Sequence, residues 1–277
     1  STLSSSSAAS DVYKRQPFFQ VGPALGRETV CIPTLADGPD LSALERAFAD
    51  GAGCLILCNP NNPLGFTYSP EKLREITDLA ARFGARVISD EIHGPVVLNG
   101  THTPTASVSD TAAAVTITVT ATSKGWNTAG LKCAQIIFND EDAKTWLELP
   151  FIVREGASIL GVAAATAAYR DGVPWLDNFV NVLRTNRETL RTRLSTIAPQ
   201  ARFTPPQASF LAWLDLGDVP GVDSDDPAAW LVENAKIALN PGFAFDEGGA
   251  GHVRLNFATS PEILSEALDR LDAALRL

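Results

Sequence analysis

Three short apolar runs, each ending abruptly in residues that can do chemistry, constrain this chain more than any bulk property. Residues 53–58 (GCLILC) run into Asn59-Pro60-Asn61-Asn62-Pro63-Leu64-Gly65, and residues 86–89 run into Asp90-Glu91-Ile92-His93. The Val/Ile/Thr-rich start of 113–133 (AAVTITVTATSKGWNTAGLKC) breaks at Thr122-Ser123-Lys124-Gly125. Short runs of this composition, bounded by turn formers, read as buried strands. Helical patterns lie between them. Residues 40–50 place Leu41, Leu44, Ala47 and Phe48 on one helical face and stop at Gly51. Ser69-Pro70 starts a second helix, with Leu73, Ile76, Ala80 and Phe83 on one face and Gly84 at its end. Strand, helix and strand in succession imply a parallel sheet with right-handed crossovers. Ligands of such sheets sit outside the carboxyl ends of the strands, so the Asn/Pro turn, Asp90 and Lys124 are expected around one crevice. Taken alone, Lys124 reads either as a solvated charge or as a pocket amine able to condense with a carbonyl.

The remainder of the chain is less rhythmic. Residues 28–33 read as a strand and 100–110 as a polar loop. A long helix is predicted from Pro174, with Trp175, Phe179, Leu183, Leu190, Leu194 and Ile197 on its buried side. After Pro199 come short strands, notably 208–215, then a loop over 217–227 and a final helix from Ser260-Pro261-Glu262 with Leu264, Leu268, Leu271 and Leu275 inward. Residues 1–16 hold six serines and no apolar periodicity, so they are expected to be a disordered, non-native tail. The expected organisation is a large domain over 17–172, then a linking helix and a smaller domain over 173–277.

Composition narrows the function. A net charge of −10 argues against nucleic acid or an anionic membrane as partner. The uncharged run 156–169 is too short to span a bilayer, and no secretory leader is visible. Four cysteines without CxxC spacing suit reduced thiols in the cytoplasm better than a disulfide or a metal site.

Taken together, NPNNPLG, SDEIH and TSKGWNTAGLK, with HVRLNFATS far downstream, resemble the fold-type I pyridoxal-phosphate (PLP) enzymes of the class I/II aminotransferase superfamily. Within it, Asp-Glu-Ile-His and Lys-x-x-Asn-x-x-Gly-Leu are most similar to the MalY/PatB-type cystathionine β-lyases. The resemblance implies an α/β chain: a three-layer α/β/α large domain with a mainly parallel sheet, its N-terminal part missing, and a smaller α+β C-terminal domain. Relatives carry a segment ahead of residue 17, and Arg15 stands where they stack an aromatic ring on the cofactor.

The resemblance also implies roles. Lys124 would bind the aldehyde of pyridoxal 5'-phosphate and then act as base at the substrate Cα. Asp90 would pair with the ring nitrogen, although a helix N-cap is its ordinary alternative. Asn62 and His93 would approach the phenolic oxygen, whereas Glu91 reads as structural and Asn59 and Asn61 as turn residues. Thr122, Ser123 and Lys132 would hold the phosphate; Ala121 occupies a position where relatives have a hydroxyl, for which Thr120 or Thr122 would stand in. Arg254 would grip the substrate α-carboxylate, its alternative being a surface charge on a half-exposed strand. Trp126 and Trp213 would line the substrate pocket or belong to the core. The implied activity is a C–S β-lyase releasing a thiol, pyruvate and ammonia from cystathionine or a related sulfur amino acid. An aminotransferase is the alternative on the same residues, and a non-catalytic partner-binding fragment is a third reading. A homodimer is implied for the intact protein.

Overall fold

The structure, a computed structural model, describes residues 7–11, 16–245 and 247–276. The first half runs β1 (Ser7–Asp11), α1 (Gln16–Ala24), β2 (Thr29–Ile32), the hairpin β3 (Thr34–Leu35) and β4 (Gly38–Pro39), α2 (Leu41–Ala49) and β5 (Ala52–Cys58). It continues through α3 (Pro70–Arg82), β6 (Arg86–Asp90), α4 (Asp110–Val115), β7 (Thr116–Thr120), α5 (Thr122–Gly125) and β8 (Gln135–Ile137). A sheet in the order β2-β1-β5-β6-β7-β8 results, parallel throughout except for β8, which runs antiparallel to β7.

The helices begin where the sequence caps them. Asp40 accepts hydrogen bonds from the Ser42 and Ala43 amides, and Ser69 accepts one from the Lys72 amide, with Pro70 in the first turn. Leu44 and Phe48 of α2 and Leu73, Ile76 and Ala80 of α3 are buried with Leu55, Leu57, Val87 and Val115 in one core. Phe83 is 40% exposed, because α3 ends at Arg82 and leaves it in the cap position.

Two expectations are corrected here. Residues 7–11, taken as part of an unpacked tail, form the strand that joins β2 to β5. Pairing between strands uses main-chain groups that every residue carries, so a Ser/Ala composition does not prevent it. Residues 1–6 and 12–15 lie outside the described residues. Residues 113–115, read as the start of a strand, instead finish α4, whose first turn is capped by the Ser109 hydroxyl on the Ala112 amide. Alanine is the best helix former, and β-branching begins to dominate only at Val115-Thr116.

The second half runs α6 (Asp140–Glu148), α7 (Phe151–Arg154), α8 (Ile159–Asp171), α9 (Val173–Ile197), β9 (Arg202–Phe203), β10 (Leu211–Asp215), α10 (Pro227–Trp230), β11 (Asn240–Pro241), β12 (His252–Asn256) and α11 (Pro261–Leu275). Its sheet is antiparallel, in the order β11-β12-β10-β9. Ala212, Leu214, Val253 and Leu255 alternate inward and pack with Leu183, Leu190 and Leu194 of α9 and Leu264, Leu268 and Leu271 of α11. Trp175, expected on the buried side of α9, is 47% exposed. Asn186 is buried there instead, its amide donating to the Phe257 and Thr259 carbonyls at 3.0 and 2.9 Å. Val96 and Leu98, from the loop after β6, also enter this second core, and Val97 bridges to Ala208. Among the described residues no helix is long and apolar enough to cross a membrane.

Candidate active site

The sheet register delivers the chemistry. Cys58 pairs with Asp90 and Asp90 with Val119, so β5, β6 and β7 end level. Just beyond, the Asn59 amide donates to the Asp90 carbonyl at 3.0 Å and the Glu91 amide to the Val119 carbonyl at 2.8 Å. The turn carrying Asn62, the Asp90–His93 stretch and the α5 turn carrying Lys124 therefore leave the sheet along one edge.

Asp90 is half-buried and accepts a hydrogen bond from the Ile92 amide at 3.1 Å. Glu91 is buried on the opposite side, and its carboxylate accepts from the Ser89 hydroxyl (3.0 Å) and the Thr105 amide (2.9 Å) and pairs with His102 Nε2 at 2.9 Å. The same loop holds Asn59, whose amide donates to the Thr103 carbonyl and the Thr105 hydroxyl at 2.9 and 3.0 Å. Asn59 is thus more than a turn former. One buried network locks the peptide from which Asp90 projects and the start of the turn that carries Asn62. His93 is 2% exposed, its ring edge-on to Phe210 with centroids 5.6 Å apart.

Lys124 lies in the single turn of α5, which follows β7 directly. Beside it, Ser123 and Lys132 line an open cavity of about 560 Å³ with Ile92, Ala121 and Arg154. Strand alternation decides which hydroxyls can reach that space. Ala121 faces the cavity, whereas Thr120 turns away and donates to the Glu91 carbonyl at 3.4 Å. Thr122 is buried, with its hydroxyl 2.8 Å from that of Thr128. Arg154 is a cation that sequence reasoning missed; nothing in its local pattern marks it, since only the fold brings α7 to this cavity. Trp126 is committed elsewhere, its indole N–H donating to the Gly172 carbonyl at 2.8 Å.

In the second sheet, Arg254 alternates on β12 with buried Val253 and Leu255. Its guanidinium donates to Asn62 Oδ1 at 3.1 Å and Asn240 Oδ1 at 2.9 Å, and it lies 4.6 Å from the centroid of the Phe245 ring. Residues 192 positions apart in sequence are in direct contact. Asn62 is 2% exposed, and its Nδ2 has no hydrogen-bond partner among the described residues. A buried amide donor left open is costly unless a ligand supplies an acceptor. The donor set therefore suits an anionic oxygen beside Asn62, as the phenolic oxygen of pyridoxal phosphate would be.

The model of the family described as aminotransferase class I and II matches residues 28–271. The cystathionine beta-lyase of Corynebacterium glutamicum is 45% identical over 260 residues, which cover 94% of this chain and 69% of that protein. Cystathionine beta-lyase PatB of Bacillus subtilis is 36% identical over 267 residues, with the same coverage of 94% and 69%. A crystal structure from Corynebacterium diphtheriae, assigned as a PLP-dependent beta-cystathionase, superposes with a TM-score of 0.94 at 45% identity, covering 99% of this chain and 72% of that one.

Proposed function

Because the chain belongs to the class I and II aminotransferase family, we propose that it is a PLP-dependent C–S β-lyase that cleaves cystathionine or a related sulfur amino acid to a thiol, pyruvate and ammonia. The fold is the PLP-dependent transferase type, with α/β architecture and a mixed large sheet. The reading takes residues 17–172 as the cofactor-binding part and 173–277 as the smaller domain. The observation that carries it is the Asn62–Arg254 contact, in which one amide oxygen is held by the arginine while the amide nitrogen has no partner among the described residues.

Pyridoxal phosphate, when bound, supplies an electron sink that stabilises negative charge at the substrate Cα. The chain's residues do the rest. Lys124 would be the amine that holds the cofactor aldehyde and serves as base toward the Cα proton. Asp90 would keep the ring nitrogen protonated. Asn62 Nδ2, and His93 with it, would meet the phenolic oxygen. Ser123, Lys132 and Arg154 face the space for the phosphate, and Lys132 and Arg154 bring the charge it needs. Thr122, expected to join them, is better assigned to bracing the α5 turn through Thr128. Arg254 presents a guanidinium to the α-carboxylate, leaving Cβ and its sulfur free to depart with the electron pair of their bond.

Sustained pyruvate release from cystathionine, with PLP and no keto-acid acceptor, is the expected outcome. Turnover that appears only when a keto acid is supplied would instead make the protein an aminotransferase.

We also infer a homodimer. Phe151, Ile152, Ile159 and Leu160 are exposed on α7 and the start of α8, a concentration of apolar surface that marks association. Val153 and Arg154 of the same stretch border the cavity beside Lys132, so a second copy seated there would wall the phosphate space. Light scattering should give a dimer, and Ile152→Asp a monomer. We further propose that the protein works in the cytoplasm, where the four cysteines would stay reduced.

A further inference from the structure

Residues 206–210, between β9 and β10, belong to neither strand, yet they join the Asn62 turn and the His93 loop to the second sheet. The Gly65 carbonyl, three residues past Asn62, accepts from the Gln207 and Ala208 amides at 2.7 and 2.8 Å. The Val96 carbonyl, three residues past His93, accepts from the Ser209 amide at 2.8 Å, while the Leu98 and Asn99 amides donate to the Gln207 carbonyl at 2.7 and 2.9 Å. The segment then runs straight into β10, where the Phe210 carbonyl accepts from the Phe257 amide at 3.0 Å and Trp213 pairs with Arg254. One short strap thus bonds the Asn62 turn, the His93 loop and the sheet that carries Arg254.

Two backbone features shape the strap. Gly65 sits at φ +71°, and a Cβ there would fall 2.3 Å from Pro206 Cβ and 2.9 Å from the Ala208 carbonyl oxygen, so glycine is what lets the strap approach the Asn62 turn. Ser209, 1% exposed, has φ +73°, a left-handed conformation that is unfavourable for a residue with a Cβ. Its hydroxyl has no partner among the described residues, so no side-chain hydrogen bond offsets the strain. The left-handed turn lies directly before Phe210, whose ring meets the His93 imidazole edge-on at 5.6 Å and the Phe179 ring at 6.3 Å. Strain of this kind concentrates at active sites.

We propose that Phe210 is a positioning residue: the left-handed turn at Ser209 aims its ring at His93, and the strap holds His93 and Asn62 at a fixed distance from Arg254. The inference rests on the reading above of a PLP-dependent lyase. There Asn62 and His93 face the cofactor and Arg254 the substrate carboxylate, so the strap sets where the substrate Cα stands relative to the Lys124 amine. A displacement of about 1 Å at such a centre costs on the order of a hundredfold in rate, with every binding group still present. Phe210 acts through His93 and needs no contact with the substrate.

The test uses the full-length, PLP-loaded protein and three variants. Phe210→Leu keeps an apolar side chain but removes the ring edge, Phe210→Tyr restores a ring, and Ser209→Gly relieves the left-handed strain while freeing the turn. The absorbance spectrum of bound PLP, kcat and KM for cystathionine, and the urea midpoint are read for each. Phe210→Leu is expected to shift the long-wavelength band and lower kcat about tenfold with KM changed less than about twofold, and Phe210→Tyr to return both to wild type. Ser209→Gly is expected to lower kcat without lowering the urea midpoint, a combination that a purely structural role does not produce. A wild-type kcat in Phe210→Leu or Ser209→Gly, equal losses in Phe210→Leu and Phe210→Tyr, or a loss in Ser209→Gly that tracks a lower urea midpoint overturns the proposal. Should Phe210→Leu fail to fold, Ser209→Gly decides. If the wild-type protein releases no pyruvate, the lyase reading falls, and the spectra, with exchange of the L-alanine Cα proton in D2O in place of kcat, still decide the role of the strap.

Discussion

The two walls that meet at the Asn62–Arg254 contact are built differently. The wall formed by the ends of β5, β6 and β7 is held by main-chain hydrogen bonds between parallel strands, backed by the buried Asn59–Thr105–Glu91–His102 network. The wall formed by β10 and β12 presents half-exposed side chains that hold one another: Arg254 on Asn240 and Phe245, and Arg202 on Asp215 and Asp218. Groups that hold a ring and move protons must keep their geometry within tenths of an ångström, and burial supplies that. Groups that recognise the rest of a substrate can sit on an open face, where a substitution changes affinity and spares the fold.

Four substitutions probe the contrast. The largest effect is expected from Lys124→Ala, which removes the amine from the rigid wall: pyruvate release should fall about a thousandfold, and borohydride should no longer fix the cofactor to the chain. Activity retained at a tenth of wild type would remove Lys124 from the chemistry. Next comes Glu91→Ala, which strands the Ser89 hydroxyl, the Thr105 amide and His102 in a buried site. A loss of about 3 kcal/mol in urea unfolding is expected, and a loss below about 1 kcal/mol would mean that the network does not hold this wall. On the open wall, Arg254→Lys keeps the charge but cannot reproduce the fork onto Asn62 and Asn240; KM should rise about tenfold with a smaller change in kcat. A drop in kcat alone would place Arg254 in the wrong role.

The smallest effect concerns pH. The folded-state pKa of Asp215 is lowered, so its contribution to stability is complete above the ordinary carboxylate pKa and fades as pH falls through the lowered one. Asp215→Asn should therefore cost a little stability at neutral pH and flatten the acid side of the profile, the two proteins converging as pH falls. An acid limb identical to wild type would show that the ion pair on this open face contributes nothing.

Legibility in the sequence follows the same division. Asn62, Asp90 and Lys124 were readable because each ends an apolar run, and the ends of parallel strands must face a common edge. Ser69 was readable as a helix start because an N-cap is a local exchange between one side chain and amides two or three residues ahead. The pairing of Glu91 with His102 was not readable, since it depends on how the loop after β6 folds back. Nor were Arg154 on the cavity that Lys132 lines, Asn240 under Arg254, or buried Asn186 in α9, each of which is placed by how separate elements meet. The reading of residues 7–11 as tail failed because main-chain pairing leaves no signature in side-chain composition.

By itself, then, the order of residues determined the central strands of the large sheet and the helices between them, which groups lie at its chemical edge, and the cofactor they suit. These depend on periodicity and on neighbours a few positions apart. Tertiary structure alone decided that Arg254 closes over Asn62, that the Thr120 and Thr122 hydroxyls meet the Glu91 carbonyl and the Thr128 hydroxyl, and that Arg202, Asp215 and His252 form one row across the second sheet. Those outcomes depend on register between strands and on how two cores meet across Val96 and Leu98, and a linear pattern does not encode either.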